Sequence, residues 1–381
     1  MSSSVGLRNL ERWVTPLDVA RAWLMSAALR VPLLGDRLRR RDERVPFLLT
    51  LHSLAAFVLA VLCPSLLLVV GPIVLGVAHL ASDVRYLVVR QRLAKSYVHV
   101  VWFGCAALFA LRGGLGALYR PTVVQQAELG LFGLWLLSSA VMGLRGTNAG
   151  RHARARASVV VLLTAALALL AATRTATVYL ALAHVHNLVA LGLWLWLFRQ
   201  RLRSVWLPLT LVLGCSAWLL SGHLTSTTLR HGVVSLFGLH VLGAADTLAP
   251  NLSAAHAVGL TCAYAFLQSV HYAVWLVLIP QDQTRTQGTL TFKMSLRSFF
   301  GDFGNVAALA VLGLILTVLA AGVIAPLATQ RAYLSLAFFH GYLELAIAAF
   351  LWVRGSAASA EGTGTRPALA ASSVFGNNAG A

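Results

Sequence analysis

Two hydrophobic stretches of this sequence contain a histidine followed four residues later by a carboxylate. His79 precedes Asp83 in one stretch, and His340 precedes Glu344 in the other. Residues four apart share one face of a helix, and ionisable groups inside an apolar helix are tolerated when they pair with a partner or an ion. These two pairs therefore predict a polar, chemically active site inside an otherwise apolar protein.

The composition predicts a membrane protein. Of the 381 residues, 58% are apolar and 11% are charged, and the mean hydropathy is +0.77. A soluble domain carries about 25% charged residues. The formal charge of +18 comes mostly from Arg and Lys clusters between apolar runs, as in cytoplasmic loops, so we expect the lipid bilayer and not nucleic acid as the partner. The four cysteines lack CxxC spacing, which argues against a zinc knuckle or a disulfide framework.

The chain divides into three predicted regions. Residues 1–45 are rich in arginine and acids and predict a cytoplasmic basic region with an interfacial helix. Residues 46–354 predict an all-α transmembrane domain. Residues 355–381 consist mainly of Gly, Ala, Ser and Thr and predict a disordered tail.

Eleven apolar runs between residues 46 and 353 are candidate membrane spans. Basic clusters after the second, fourth and sixth runs place the N-terminus in the cytoplasm, and we expect a bacterial inner membrane. If the glycine-interrupted run at 233–250 crossed the membrane fully, the basic residues that follow it would lie outside. They lie in the cytoplasm if this run is broken or re-entrant. The prediction is a polytopic helix bundle of about ten spans plus one broken segment. We expect residues 291–303 to form an amphipathic stretch that lies on the surface.

Four histidines lie at one predicted depth in the helices that run towards the cytoplasm. They are His79, His186, His271 and His340. Each lies 13 or 14 residues before an arginine at the cytoplasmic boundary, which corresponds to roughly 20 Å at about 1.5 Å per residue. Asp83, Glu344 and His52 form a second level closer to that boundary. Two matched levels of metal-ligand side chains predict one common site.

Imidazole and carboxylate ligands together suit iron, zinc, copper or manganese, and the absence of nearby Cys or Met pairs argues against a soft copper site. The set exceeds what one ion needs, as in the di-metal centres of helix bundles. We therefore expect one or two transition-metal ions, with iron, zinc, copper and manganese all open on the residues alone, bound by His79, His186, His271, His340, His52, Asp83 and Glu344. Expected catalytic residues are Asp83, Glu344 and Tyr86. Expected residues of the substrate path or of ligand orientation are His184, His240, Asp246, Gln268 and Trp275.

Structural explanations of these residues remain open at this stage. A histidine inside a membrane often makes an interhelical hydrogen bond. Asp83 has Arg85 and Arg90 as candidate salt-bridge partners. Intramembrane acids nevertheless cost about 2.5 to 3.5 kcal/mol each on insertion scales, which favours a functional role for the set.

Four motifs carry a resemblance to a known family. They are HxxxD at 79–83, HVHN at 184–187, VHY at 270–272 and HxxxE at 340–344. This pattern resembles the integral-membrane non-haem iron oxygenases, the Brp/Blh-type carotene-cleaving enzymes being the nearest, and it covers the membrane core only. The HxxxH and HxxHH boxes of fatty-acid desaturases are absent. The resemblance implies an iron centre, dioxygen, and a lipid-soluble polyene or acyl substrate that enters from the bilayer.

The favoured prediction is thus a membrane oxidoreductase that uses dioxygen on a lipophilic small molecule, with an electron donor as a further candidate partner. An alternative is a proton-coupled transporter that uses the same histidines and acids as a relay, with 233–250 in the substrate path. A third is a bis-histidine haem protein, for which only His256 and His271 have a suitable spacing.

Overall fold

A computed structural model describes residues 3–115, 121–145, 150–199, 202–283 and 290–355. Helices make up nearly all of these ranges, which confirms the predicted all-α fold. In chain order the helices are α1 (Ser3–Leu29), α2 (Pro32–Arg39), α3 (Arg41–Leu62), α4 (Pro64–Asp83), α5 (Lys95–Ala110), α6 (Pro121–Arg145), α7 (Arg151–Leu193), α8 (Trp206–Leu220), α9 (Thr225–His231), α10 (Val241–Leu248), α11 (Ala254–Ala273), α12 (Ile279–Gln283), α13 (Phe292–Ile324), α14 (Pro326–Ala337) and α15 (Phe339–Arg354).

Several of these helices end in a wider, π-helical turn. The π-helical segments are Val84–Val89 after α4, Leu111–Leu115 after α5, Trp194–Phe198 after α7 and Val274–Leu278 after α11. A short 3-10 turn, Leu202–Val205, precedes α8. Proline begins α4 and α14, where its missing N–H has no helical partner to lose.

Nine helical segments in the described ranges are long and apolar enough to cross a membrane. They are Arg41–Leu62, Pro64–Val89, Lys95–Gly114, Thr122–Arg145, Arg151–Phe198, Leu202–Leu220, Ala254–Gln283, Phe292–Ile324 and Pro326–Arg354. Nine such helices support the predicted membrane location. The side on which the N-terminus lies and the bacterial origin stay predictions.

The longest segment is divided at Arg174, whose backbone angles (φ −140°, ψ 44°) are not helical. Next to this break, the Gln126 side chain of α6 donates a hydrogen bond to the Thr175 hydroxyl at 3.2 Å. Each half of Arg151–Phe198 has about the length of one crossing. The predicted count of ten spans therefore stays a prediction.

The glycine-interrupted run at 233–250 does not form a long helix. Strands β1 (Ser235–Leu236) and β2 (Leu239–His240) pair antiparallel as a small hairpin, and the eight-residue α10 follows. Eight residues span only about 12 Å, less than half of a bilayer core. Whether this segment enters the membrane stays a prediction.

Helix α11 lies at the centre of the described helices. In the most apolar window of Ala254–Gln283, 83% of the residues are buried, against 11% in Phe292–Ile324. It packs against α3, α4, α7, α8 and α10. A helix that is apolar and buried on all sides belongs to the interior of a bundle, so its polar residues face protein and not lipid.

Helix α13 changes direction at Gly304, whose φ of 75° lies in the left-handed region that favours glycine. The part before Gly304 matches the predicted amphipathic stretch and packs against α1. Glu11 on α1 accepts hydrogen bonds from Arg297 at 2.6 and 2.8 Å, and these bonds lower the pKa of the Glu11 carboxyl. Helix α1 and residues 292–303 therefore form one layer. The interfacial position of region 1–45 stays a prediction, and residues 356–381 of the predicted tail lie outside the described residues.

Candidate metal centre

Four histidines from four helices meet inside the bundle. His79 comes from α4, His186 from α7, His271 from α11 and His340 from α15. The ring centroids are 4.8 Å apart for His79 and His340, and 5.2 to 5.3 Å apart for His79–His271, His186–His271 and His186–His340. His79 and His271 are each 1% exposed, His340 is 9% exposed, and His186 is partly buried. The structure thus brings together the four histidines that share a predicted depth.

Three of these imidazoles are close enough to share one ion. The ligand atoms of His79, His271 and His340 all lie within 4.8 Å of one another. An ion with metal–nitrogen distances of about 2.1 Å separates opposite ligands by up to about 4.2 Å. Small movements of the three rings would bring their nitrogens within bonding distance of one ion. The His186 ring lies beside this group, with its centroid 5.3 Å from those of His271 and His340.

Two of the four rings have a fixed tautomer. The Nδ1–H of His186 donates to the Ala183 carbonyl at 2.7 Å, and the Nδ1–H of His340 donates to the Ala337 carbonyl. In the neutral ring each Nε2 then carries a lone pair. The Nε2 of His340 lies 3.3 Å from the Nε2 of His79. The backbone carbonyls orient these two rings and determine which nitrogen carries the lone pair. Many metal-binding histidines are held in the same way.

The Glu344 carboxylate lies beside His271, and Asp83 is the buried acid that interacts with Glu344. Both residues are fully buried and they interact electrostatically with each other. Glu344 Oε1 accepts a hydrogen bond from the indole N–H of Trp275 at 2.8 Å and lies 3.8 Å from the Nε2 of His271. Among the described residues, Glu344 Oε2 and both oxygens of Asp83 have no hydrogen-bond partner. Unpaired carboxylates at this depth require protons or a bound cation.

The salt-bridge explanation of Asp83 does not hold in the described part of the chain. Arg85 and Arg90 both bond to Asp302 on α13, with Nε–Oδ2 distances of 2.5 and 2.9 Å. Asp83 therefore has no arginine to neutralise it.

A cavity of about 240 Å³ borders all four histidines. Its other walls combine aromatic and aliphatic side chains with a few polar ones, among them Gln268 one turn before His271. The aromatic residues are Tyr179, Tyr264, Tyr272, Tyr333 and Phe338. Clefts of this kind, apolar with a few convergent polar groups, are typical of small-molecule sites.

The structure places five other predicted residues away from the four histidines. His52 bonds through Nε2 to the Ser269 carbonyl at 2.9 Å, and His184 donates to the Leu248 carbonyl at 3.0 Å. Tyr86 packs against Phe198, with the Arg90 guanidinium 5.1 Å from its ring centroid. His240 accepts from the Leu242 N–H at the start of α10, and both His240 and Asp246 are exposed. Trp275 reaches the site as the partner of Glu344.

Sequence reasoning missed several residues of the site. The Tyr272 ring lies 4.6 Å from His79, and the Tyr333 hydroxyl lies 3.5 Å from the Nδ1 of His79. Asn187 is 1% exposed, borders the cavity and has no side-chain hydrogen-bond partner among the described residues. Tyr272 and Asn187 directly follow His271 and His186, so the VHY and HVHN motifs contained the signal.

Arg112 is a further residue of the cavity wall that sequence reasoning missed. It lies in the π-helical turn after α5, pairs with Glu128 of α6, and its guanidinium lies 4.0 Å from the centroid of the Phe338 ring. Glu128 is 1% exposed, and an acid in an apolar run was the signal for it. This pair is internally neutralised, unlike Asp83 and Glu344.

The arrangement offers nitrogen and oxygen donors at a site from which water is largely excluded, and this donor set fits a borderline or hard transition metal. The orphaned oxygens of Asp83 and Glu344 provide the negative charge that such an ion needs. No protein-family model matches the chain, and no curated protein or solved structure is significantly similar to it. The chemistry of the site therefore has to be argued from its geometry.

Proposed function

We propose that this protein is an integral-membrane metalloenzyme, a non-haem iron oxidoreductase that uses dioxygen on a lipophilic substrate. One observation carries the proposal. Four buried or partly buried imidazoles converge beside two carboxylates with three orphaned oxygens, and no cationic side chain among the described residues neutralises them. One or two ions of charge +2 would satisfy both the imidazole lone pairs and the carboxylates.

The ligand types suit iron, zinc, manganese and copper alike, and we propose iron because the motifs resemble those of the membrane non-haem iron oxygenases. Iron would supply the redox chemistry and the binding of dioxygen. His79, His186, His271 and His340 would hold the ion. Asp83 and Glu344 would complete the charge, and an external electron donor is a further proposed partner.

The residues around the ion would bind and orient the substrate. The cavity of about 240 Å³ accommodates a segment of an apolar chain or one ring, and not a whole polyene. Its tyrosine and phenylalanine rings offer apolar contact, and Gln268 offers an orienting hydrogen bond. Trp275 fixes Glu344 by its N–H bond, which leaves the other oxygen of Glu344 to bind metal or to hold a proton.

The first experiment is elemental analysis by mass spectrometry of the full chain, purified without a metal-affinity resin, together with an optical spectrum. We expect one or two equivalents of iron and no Soret band. His186→Ala should lower the bound iron at least tenfold, because loss of a ligand or its support typically costs 10- to 100-fold in affinity. His184→Ala is the matched control, since His184 is two residues away on the same helix and bonds to Leu248 instead.

Three outcomes would overturn the proposal. Equal iron loss in both variants would show that His186 contributes no more to iron binding than His184, which removes it from the proposed ligands. A Soret band would indicate haem. If the protein carries no transition metal even after reconstitution with ferrous iron, protons must neutralise the buried carboxylates. This result would favour the proton-coupled transporter. If iron is present, oxygen consumption with carotenoids and acyl lipids tests the substrate class.

A further inference from the structure

A second cavity, of about 430 Å³, lies outside the metal centre between α1, α4, α13 and the π-helical turns that follow α4 and α11. One part of its wall is polar, with Arg85, Arg90, Tyr86, Ser295 and Ser298. The other part is apolar, with Ala78, Ala81, Leu276, Val311, Leu312 and Ile315. The cavity therefore has the two chemical surfaces of an amphiphile.

The polar part carries an excess of positive charge. Arg85 and Arg90 share a single carboxylate oxygen, Asp302 Oδ2. Both also donate to the Ser298 hydroxyl, at 2.7 and 2.6 Å, and Arg90 donates to the Gln283 side chain at 3.0 Å. Two guanidiniums against one carboxylate leave one uncompensated positive charge.

Arg85 also has unused hydrogen-bond capacity. A guanidinium has five N–H donors, and among the described residues Arg85 donates from Nε and Nη2 only. Its guanidinium is 5.3 Å from the centroid of the Tyr86 ring, and the side chain is 10% exposed. A buried cation with free donors that opens into a cavity is suited to an anion, and arginine binds phosphate oxygens in a bidentate manner.

The two parts of the cavity are ordered along the helices. Helix α13 runs antiparallel to α4, with Asp302 beside Arg85 at one end and Val311 and Ile315 in the cluster around Val77 further along. Residues of α1 and of 292–299 cover the polar end. The apolar part extends away from the arginines, between α4 and α13.

We propose that this cavity binds an anionic phospholipid, with its phosphate on Arg85 and Arg90 and part of one acyl chain between α4 and α13. A soluble anion would leave the apolar walls without a partner, and a zwitterionic lipid would not neutralise the extra charge. Arginines close to a membrane surface recognise anionic lipid in this way. The proposal is independent of the metal centre.

The test uses the full chain in a neutral detergent, with native mass spectrometry to count bound lipids during titration with phosphatidylglycerol or phosphatidylcholine. We expect phosphatidylglycerol to bind at least tenfold more tightly. Arg90→Gln should weaken its binding about fivefold, the contribution of one arginine near a surface. Arg203→Gln, at an exposed arginine outside the cavity, is the matched control and should not change it.

A second variant tests the acyl-chain part with both arginines intact. Leu312→Trp fills the apolar part and should also weaken phosphatidylglycerol binding. Equal affinity for the two lipids, or an equal effect of Arg90→Gln and Arg203→Gln, would overturn the proposal. Complete displacement of the lipid by millimolar inorganic phosphate would show an anion site without a lipid part and would also overturn it.

Discussion

Trp275 and Glu344 show how the site is held together at the level of single residues. The indole N–H is the single hydrogen-bond donor to the Glu344 carboxylate among the described residues, and both side chains are fully buried. Trp275 lies one helical turn after His271, so one helix supplies both a ligand candidate and the support of a neighbouring carboxylate. Such supporting partners typically fix the orientation of a ligand.

Trp275→Phe keeps an aromatic ring but removes the donor. We expect a loss of about 1 to 3 kcal/mol of stability, because a buried acceptor then has no partner, and a 10- to 100-fold weaker affinity for iron. Thermal unfolding and metal titration measure the two effects. Trp206→Phe, at an exposed tryptophan, is the control. Unchanged iron affinity in Trp275→Phe would show that Glu344 does not need this bond.

The sequence predicted the four clustered histidines because depth in a membrane can be counted along a helix. It could not predict which way each helix turns, since apolar side chains cover all faces of a membrane helix and leave little amphipathic pattern. His52 has a matching depth but faces Ser269. Tyr86 follows Asp83 by three residues, yet it lies in the π-helical turn Val84–Val89, where the α-helical spacing no longer holds.

At the level of helices, the π-helical turns occur at corresponding positions in the chain. Three of the four directly follow the helices that carry His79, His186 and His271. π-Helical turns occur often at functional sites. A π-helical turn rotates the side chains that follow it about the helix axis. Residues before the turn, on the histidine side, and residues after it, at the arginine-rich end, therefore face different neighbours. Asp83, the last residue of α4, thus interacts with Glu344, whereas Arg85 in the following π-helical turn borders the cavity of about 430 Å³.

The contact between α4 and α14 depends on a residue without a side chain. A Cβ atom at Gly76 would lie 2.4 Å from the Tyr333 ring, and Tyr333 is 7% exposed, so the ring has little room to move. Gly76→Ala should therefore cost about 1 to 3 kcal/mol through overpacking. It should also displace the Tyr333 hydroxyl from His79 and reduce bound iron.

Gly214→Ala is the matched control for this substitution. A Cβ atom at Gly214 meets no atom within 4 Å, and alanine is the better helix former by about 1 kcal/mol. Thermal unfolding should show a loss for Gly76→Ala and no loss for Gly214→Ala. A Gly76→Ala variant as stable as the native chain would contradict this prediction, because it would show that α4 and α14 can move apart to accept the methyl group at little cost.

For the whole molecule, composition predicted the fold class and apolar runs predicted the spans. The sequence divides the apolar runs 158–173 and 176–198 at the polar residues Arg174 and Thr175, and the structure has its non-helical residue at Arg174, within one continuous helical segment. The interruption of 233–250 was visible in its glycines, but the β-hairpin was not, since two-residue strands carry no periodic pattern.

The orientation of the molecule can be tested with cysteine labelling. By the predicted topology, Arg203 lies on the cytoplasmic side and Arg230 on the opposite side, and both residues are exposed. In a Cys63→Ser background, Arg230→Cys should react with a membrane-impermeant maleimide on intact cells, and Arg203→Cys only after lysis. The reverse pattern would invert the topology, and labelling of both on intact cells would remove the membrane crossing by α8.

The central position of α11 has a consequence for biosynthesis. Ribosomes deliver α11 to the membrane before α13, α14 and α15, although His271 on α11 lies 3.8 Å from Glu344 and beside His340, both on α15. His271 is thus inserted well ahead of His340 and Glu344. The nascent protein must carry polar groups of α11 without their final neighbours until residue 344 has been inserted. If the proposed metal binds here, it is loaded after this point, because a chain stopped before α15 has three of the four histidines and lacks His340 and Glu344.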